Sequence, residues 1–479
     1  MPGKLGSIKG AVNSAPPSPA NQALFPLEEL AWTCTKNAIA VSQYLAEHDH
    51  PQPSHEPDGP SSTLPKAAPR SIQQARQSLM SSALELFQLA AGPSEFIPNL
   101  APGFQYVACL AWLLQYDIFH LVPTSGTISY EDLAAAASKR GSSGVAIPEP
   151  RLRSIIRMAM TSALFREPEP NQVGHSATSA LLARDADVHS WASYLSTRSA
   201  PTALAMAAAH TRFTPASTAK NETAYNVAFG TGLPFFDHLA LDPASTAEFA
   251  GYMRNVTTSE AMDVRHLVDG YPWADLGRGP VVDVGGSTGN AAIALARAFP
   301  ALTCVVQDLP ANAEAGRRAA EAALPADVLA RVAFQAHDFT RPQPVAGGAV
   351  YLLRMILHDW PDDAAAAILR NLVPALAGGG GGGAARLLIM DTVMPAPGRA
   401  PRAVERVVRV RDMTMLQVFN SHERDLDQWR ALLLAADGRL RLRQVIAPFG
   451  SAMSLLEVEM VGAAAPEESP EEDIWEISG

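Results

Sequence analysis

The segment that most constrains this chain is Val281-Val282-Asp283-Val284-Gly285-Gly286-Ser287-Thr288-Gly289. An apolar strand runs into a glycine turn, and Ala291 to Phe299 reads as the helix that follows. A second apolar strand, Leu302 to Gln307, ends at Asp308, 25 residues after Asp283. Glycines at such a turn let the backbone come close to a ligand. A carboxylate one strand further on can hold the two hydroxyls of a ribose. A ligand carrying a nucleoside is expected here.

Downstream the pattern continues as strand and helix in alternation. Cys304–Gln307, Ala333–His337, Ala349–Arg354 and Leu387–Asp391 read as strands with helices between them. That predicts an α/β domain with a parallel sheet covered on both faces, over residues 271–462. Upstream, helical periodicity spans Leu24–His48, Ile72–Ala91, Gln105–Phe119 and Arg151–Ala163. Ser129 with Asp132 is a capping signal for a helix to Ala137. Leu164-Phe165-Arg166-Glu167 then reads as a strand opening a hairpin, so residues 23–200 are expected as a helical, winged-helix domain. Its basic and acidic residues are roughly matched, which favours protein contacts over DNA reading. Residues 201–270 are mostly helical and carry the aromatics Tyr225, Phe229, Phe235 and Phe236. Residues 1–22 and the acidic 463–479 are expected to be disordered or solvated tails. The six prolines within 51–70 predict a flexible insertion, and the six glycines at 378–383 a surface loop.

At 479 residues, two or three domains are expected, and 47% hydrophobic content supports a large core. A formal charge of −11 argues against a nucleic-acid partner. Three widely spaced cysteines give neither a disulfide framework nor a zinc spacing. Lys4 and Lys9 are not followed by a signal-peptide apolar region, and unbroken apolar runs such as Tyr106–Leu114 are far short of a membrane span. A cytoplasmic protein without a membrane partner is expected.

The glycine turn bears on the ligand. Gly285, Gly286 and Gly289 make Gly-Gly-x-x-Gly, with Ser287 where a dinucleotide fingerprint has its second glycine. A pyrophosphate demands close approach at that point, whereas S-adenosylmethionine carries no phosphate. Asp338-Phe339, after the third strand, pairs a carboxylate with a ring that could bracket an adenine. Leu357-His358-Asp359-Trp360-Pro361 follows the fourth strand, where a parallel sheet presents its ligand-contacting loops. A histidine there can serve as a general base near neutral pH.

Val282-Asp283-Val284-Gly285-Gly286, Gln307-Asp308-Leu309-Pro310, His337-Asp338-Phe339 and Leu357-His358-Asp359-Trp360 occur in this order. As a set they resemble the cation-independent, S-adenosylmethionine-dependent O-methyltransferases, which include plant caffeic-acid-type and fungal sterigmatocystin-type enzymes. Phe229-Gly230 and Phe235-Phe236-Asp237 look more like the fungal branch. The resemblance covers roughly residues 80–460. It implies a Rossmann-like class I methyltransferase domain, a winged-helix dimerisation domain and a homodimer in which that domain closes the partner's acceptor pocket.

Carried over by position, His358 matches the catalytic base, with Asp391 and Glu423 as the acids that orient it. Asp283, Gly285, Gly286, Asp308, Asp338, Phe339 and Arg354 match cofactor positions. Three departures stand out: Ser287 replaces a frequent glycine, Arg354 a frequent lysine, and Asp391 a frequent, longer glutamate. The expected reaction is methylation of a phenolic hydroxyl on a small aromatic secondary metabolite such as a polyketide, without a metal. Phe229, Phe235, Met355, Met415, Phe419 and Asn420 are expected to line the acceptor pocket. The alternative is a catalytically silent relative acting as a binding or regulatory subunit, against which the intact His358, Asp391 and Glu423 count.

Overall fold

In the computed structural model, residues 24–140, 145–214, 217–276, 279–378 and 384–462 are described. The expected tails at 1–22 and 463–479, and the glycines at 379–383, lie outside them.

Seven strands form the main sheet: β4 (Val281–Val284), β5 (Cys304–Asp308), β6 (Val332–Ala336), β7 (Val350–Arg354), β8 (Arg386–Asp391), β9 (Leu440–Ile446) and β10 (Ser454–Met460). Their spatial order is β6-β5-β4-β7-β8-β10-β9. β4 to β8 pair in parallel, and β10 lies antiparallel between β8 and β9. Alternate side chains face opposite sides of a strand, and here each side meets its own core. Val281, Cys304, Val306, Val350, Leu352, Leu388 and Met390 enter one cluster. Val282, Val284, Tyr351, Leu353, Leu387 and Ile389 enter the other. Burial on both faces is why these strands are unbroken apolar runs. β9 and β10 were not among the strands predicted from sequence. β9 alternates leucine with Arg441 and Arg443, and β10 buries Glu457, which pairs with Arg386 and, at 2.6 Å, with Arg443.

β4 has β5 on one side and β7 on the other, so the direction of winding reverses at β4. The crevice at the carboxyl ends of β4 and β7 is therefore the binding position in a sheet of this order.

A second, three-stranded sheet pairs β1 (Ile128–Ser129), β3 (Gln172–Gly174) and β2 (Arg166–Glu169) in that order, all antiparallel. With helices Phe96–Gln115, Tyr130–Arg140 and Glu149–Met160 it follows the winged-helix sequence of elements. The predicted cap forms: Asp132 N donates to Ser129 Oγ at 3.0 Å. Leu113, Phe119, Leu133, Leu152, Ile156 and Val173 fill the core beneath it.

The chain forms two compact units. The smaller takes in the described part of Met1–Pro53 together with Ser62–Pro102 and Pro401–Val404, and the larger has the rest. From Gly103 on, the segment with the three-stranded sheet belongs to the same unit as the main sheet. Helices Pro26–Glu47 and Arg70–Ala91 pair in the smaller unit, where Asn37 Nδ2 donates to Ser78 Oγ at 2.9 Å. The proline-rich 51–70 stretch, expected to be flexible, makes defined contacts. Leu64 and Ala68 are buried with Val41 and Leu45 in the smaller unit. In the larger, Arg184 Nη2 donates to the Pro57 carbonyl at 2.7 Å, and Arg166 pairs with Glu56.

One segment is more apolar than its unbroken apolar runs suggest. The helical stretch Pro93–Gln115 is 23 residues long and, by length and composition, apolar enough to cross a membrane. Phe96, Ile97, Leu100 and Phe104 on it are 59–68% exposed.

Candidate active site

The loop after β4 is built around its backbone. Gly285 and Gly289 have φ of 76° and 86°, and Ser287 sits at 51°. Ser287 therefore holds a left-handed conformation that L side chains rarely adopt and glycine adopts freely. Gly285 N and Gly286 N donate to the Gln307 carbonyl at 2.8 and 3.0 Å. A Cβ on Gly286 would stand 2.6 Å from the Asp283 carboxylate. One on Gly285 would stand 2.6 Å from Ile356 Cδ1.

Asp283 is buried, and its Oδ2 has no partner. Burial pushes its pKa up to about 6, against the pull of Arg354. Asp308 accepts from Ser287 N at 2.8 Å through Oδ2, and from Leu309 N and Asn312 Nδ2 through Oδ1, each at 2.8 Å. A carboxylate offers about four acceptor positions, so capacity for ribose hydroxyls remains. A cradle closed to side chains, an unpartnered buried carboxylate oxygen and a half-buried aspartate at the next strand end fit S-adenosylmethionine. The exposed Asp338 accepts from Thr340 N at 2.9 Å. Phe339 meets Trp360 edge-on at 5.7 Å. Arg354 Nη2 donates to the Met262 carbonyl at 2.7 Å, and its Nε has no partner.

His358 lies in the turn Leu357–Asp359, after β7, and is 4% exposed. Its Nδ1 is 2.9 Å from Glu423 Oε1 and 3.7 Å from Asp391 Oδ1. Glu423 takes the Nδ1 hydrogen bond, and Asp391, with its shorter side chain, stands back as a charge. Nε2 points the other way, with Asp359 Oδ1 at 3.6 Å. Burial alone would depress the imidazole pKa. Glu423, Asp391 and Asp359 together outweigh burial and push it up to about 10. Asp391 itself is pushed up to about 6 by burial, against the pull of His358. For Glu423, burial is outweighed by His358 and Arg411, and its pKa falls.

Sequence reasoning missed the cations around this group. Arg411 Nε is 3.5 Å from Glu423 Oε1 and donates to Thr392 Oγ1 at 3.3 Å. The buried Arg424 donates to the carbonyls of Leu357 and Trp360 at 3.0 and 2.8 Å and pairs with Asp362 at 2.7 Å, pinning the turn that carries His358. Arg424 was legible as the arginine after Glu423. Arg411 lies mid-helix and carries no local signal. A solvent-open cavity of about 650 Å³ reaches Glu423 from the side of Met394 and Arg409, without touching His358. Among the described residues, no three His, Cys, Asp or Glu side chains stand in metal-holding geometry.

Phe235, Met415 and Phe419 pack into one aromatic cluster with Tyr194 and Tyr225, and Phe229 lies against it. Met355 does not join them. It packs on the core at one face of the main sheet and holds φ at 57°. Asn420, at φ 51°, donates through Nδ2 to the carbonyls of Ala219 and Glu222 at 2.8 and 3.0 Å. It therefore ties the 219–222 loop to the segment bearing Glu423.

Residues 214–438 match the O-methyltransferase domain family. The chain is 56% identical over 437 residues to O-methyltransferase pgmB of Aspergillus terreus, covering 91% of this chain and 96% of that protein. It is 45% identical over 438 residues to O-methyltransferase aurJ of Gibberella zeae, covering 90% and 97%. Among solved structures, OxaC in complex with sinefungin and meleagrin superposes with a TM-score of 0.65 at 22% identity, over 89% of this chain and 99% of that one. The mitomycin 7-O-methyltransferase MmcR gives 0.62 at 22% identity, over 78% and 99%. The structural likenesses speak to the fold alone. The sequence similarity makes this chain a member of the S-adenosylmethionine-dependent O-methyltransferase family, in its fungal secondary-metabolite branch.

Proposed function

We propose that this enzyme methylates a phenolic hydroxyl on a flat polycyclic aromatic, of the kind polyketide assembly produces, with His358 as the general base. The observation that carries this reading is the orientation of His358: Glu423 occupies Nδ1, while Nε2 faces Asp359 Oδ1 at 3.6 Å, beyond hydrogen-bond reach, and is the nitrogen we assign to the acceptor. The donor, when bound, supplies an electrophilic methyl carbon. The rest is done by this chain's residues. A phenol has an ordinary pKa near 10, so at neutral pH little of it is ionised. In its neutral form, a minority below a pKa pushed up to about 10, His358 takes the hydroxyl proton at Nε2 as the oxygen becomes nucleophilic. Glu423 holds the tautomer, and Asp391 stabilises the imidazolium that forms. The aromatic cluster orients the acceptor's ring, and such placement can contribute about 7–11 kcal/mol. With proton removal assigned to His358, the reaction requires no metal.

The cofactor half is tested by calorimetry with S-adenosylmethionine, S-adenosylhomocysteine and NADH. The wild type is expected to bind the first two and not NADH, and Asp308→Ala to lose that binding by about tenfold or more, since charged hydrogen bonds to the ribose go. Donor binding with no methyl transfer to any phenol would make the chain a silent binding subunit.

The enzyme is also proposed to be a homodimer. The exposed apolar residues Phe96, Ile97 and Leu100 of the smaller unit are costly in water at roughly 25 cal/mol per Å², and a second copy would cover them. Light scattering is expected to give twice the 50.8 kDa chain mass. A monomer at micromolar concentration would contradict it.

A further inference from the structure

Lys220 is a long cationic side chain drawn in against the site. Its Nζ lies 3.0 Å from the centroid of the Trp360 ring, two residues beyond His358. An ammonium over a tryptophan face is attracted by the ring quadrupole, and more so when desolvated. Its loop is held in place. Asn420 Nδ2 grips the carbonyls of Ala219 and Glu222. Asn221 Nδ2 donates to the Gly232 carbonyl at 3.2 Å, and Ser217 Oγ to Glu222 Oε2 at 2.5 Å. Thr223, at the end of the loop, caps the helix that carries Tyr225 and Phe229. The loop thus joins the turn of His358 to the aromatic cluster.

Asp359 is the carboxylate common to both charges. It stands 3.6 Å from His358 Nε2, and its field reaches Lys220. Burial nevertheless dominates at Lys220 and brings its pKa down to about 8, so the ammonium is poorly compensated. A cation held over Trp360, on the side of His358 where Asp359 stands, can pair with an anionic oxygen brought within its reach.

We propose that Lys220 is an acceptor-positioning residue, whose ammonium pairs with an anionic oxygen on the aromatic acceptor. The oxygen can be the reacting phenolate itself or a carboxylate beside it. This rests on reading the space at His358 Nε2 as the acceptor site. Loss of turnover in His358→Ala tests that reading separately, because the experiment here reads binding and not turnover.

Three probes are titrated in the presence of S-adenosylhomocysteine at pH 7, against wild type, Lys220→Met and Lys220→Arg. They are 1-naphthol, which is neutral, 2,4-dinitro-1-naphthol, which is ionised at its hydroxyl, and 1-hydroxy-2-naphthoate. Wild type is expected to prefer at least one anionic probe to 1-naphthol. Lys220→Met is expected to weaken that probe by about tenfold or more, as one charge-assisted hydrogen bond is lost, with 1-naphthol binding unchanged. Lys220→Arg restores most of the preference. Loss confined to the dinitronaphthol assigns Lys220 to the phenolate oxygen, and loss confined to the naphthoate assigns it to a neighbouring carboxylate. The proposal is overturned if wild type shows no preference for an anionic probe, if Lys220→Met leaves the preference intact, or if it weakens all three probes equally. Unchanged S-adenosylhomocysteine binding in Lys220→Met serves as the control for folding.

Discussion

Replacing His358 with alanine is expected to lower kcat/KM for methyl transfer by about 10²–10⁴-fold, the range over which a positioned general base acts. Binding of the donor is expected to be unchanged. The two expectations separate because His358 sits after β7 and the glycine cradle after β4, with Asp308 at the end of β5. The loss should appear in kcat more than in KM, because the proton is transferred only as the oxygen attacks. Acceptors that are already ionised at neutral pH need no base, so the mutant's deficit should shrink sharply for nitrophenols. Steady-state kinetics with a simple phenol and a nitrophenol measure both. An equal loss for the two would remove His358 from the role of base and leave it a packing residue.

The pH dependence is the second large effect. A base must be neutral to accept a proton, and the carboxylates around His358 raise its pKa to about 10. The working form of the free enzyme therefore grows with pH through the neutral and mildly alkaline range. kcat/KM, which reports the free enzyme, is expected to climb from pH 7 toward pH 9–10, by up to about tenfold per pH unit. Asp391→Asn removes a negative charge 3.7 Å from Nδ1 and leaves the Glu423 hydrogen bond in place. The rising limb should then move to lower pH by roughly 1–3 pH units, the usual effect of one close opposite charge. Glu423→Gln removes both a charge and the group that fixes the tautomer. It should move the limb the same way and lower the plateau as well. A limb that stays where it is in both variants would mean that these carboxylates do not set the basicity of His358.

Much of the candidate site was legible because its parts are local. A turn that admits no side chain needs glycines at 285 and 286, an apolar run identifies each buried strand, and His358 follows a strand end by only a few residues. Elsewhere the local signal misled or was silent. Met355 is expected beside Met415, yet its backbone stands at φ 57° and the half-buried side chain packs against the core at one face of the sheet, not with the aromatic cluster. β9 went unnoticed because Arg441 and Arg443 break its apolar pattern. The prolines of 51–70 suggested flexibility, yet Leu64 and Ala68 find a buried surface.

What the sequence determined on its own was the order of elements and the chemical types at the strand ends, since strand periodicity, glycine turns and a histidine motif are each written within a few consecutive residues. Tertiary structure alone decided how the charges combine. Glu423 reaches His358 from 65 residues away. Arg411 joins them from a third element, and Lys220 settles on Trp360 across 140 residues of chain. Coulomb energy and desolvation depend on distances in space and on burial. Neither quantity exists until the sheet has brought these segments to one edge.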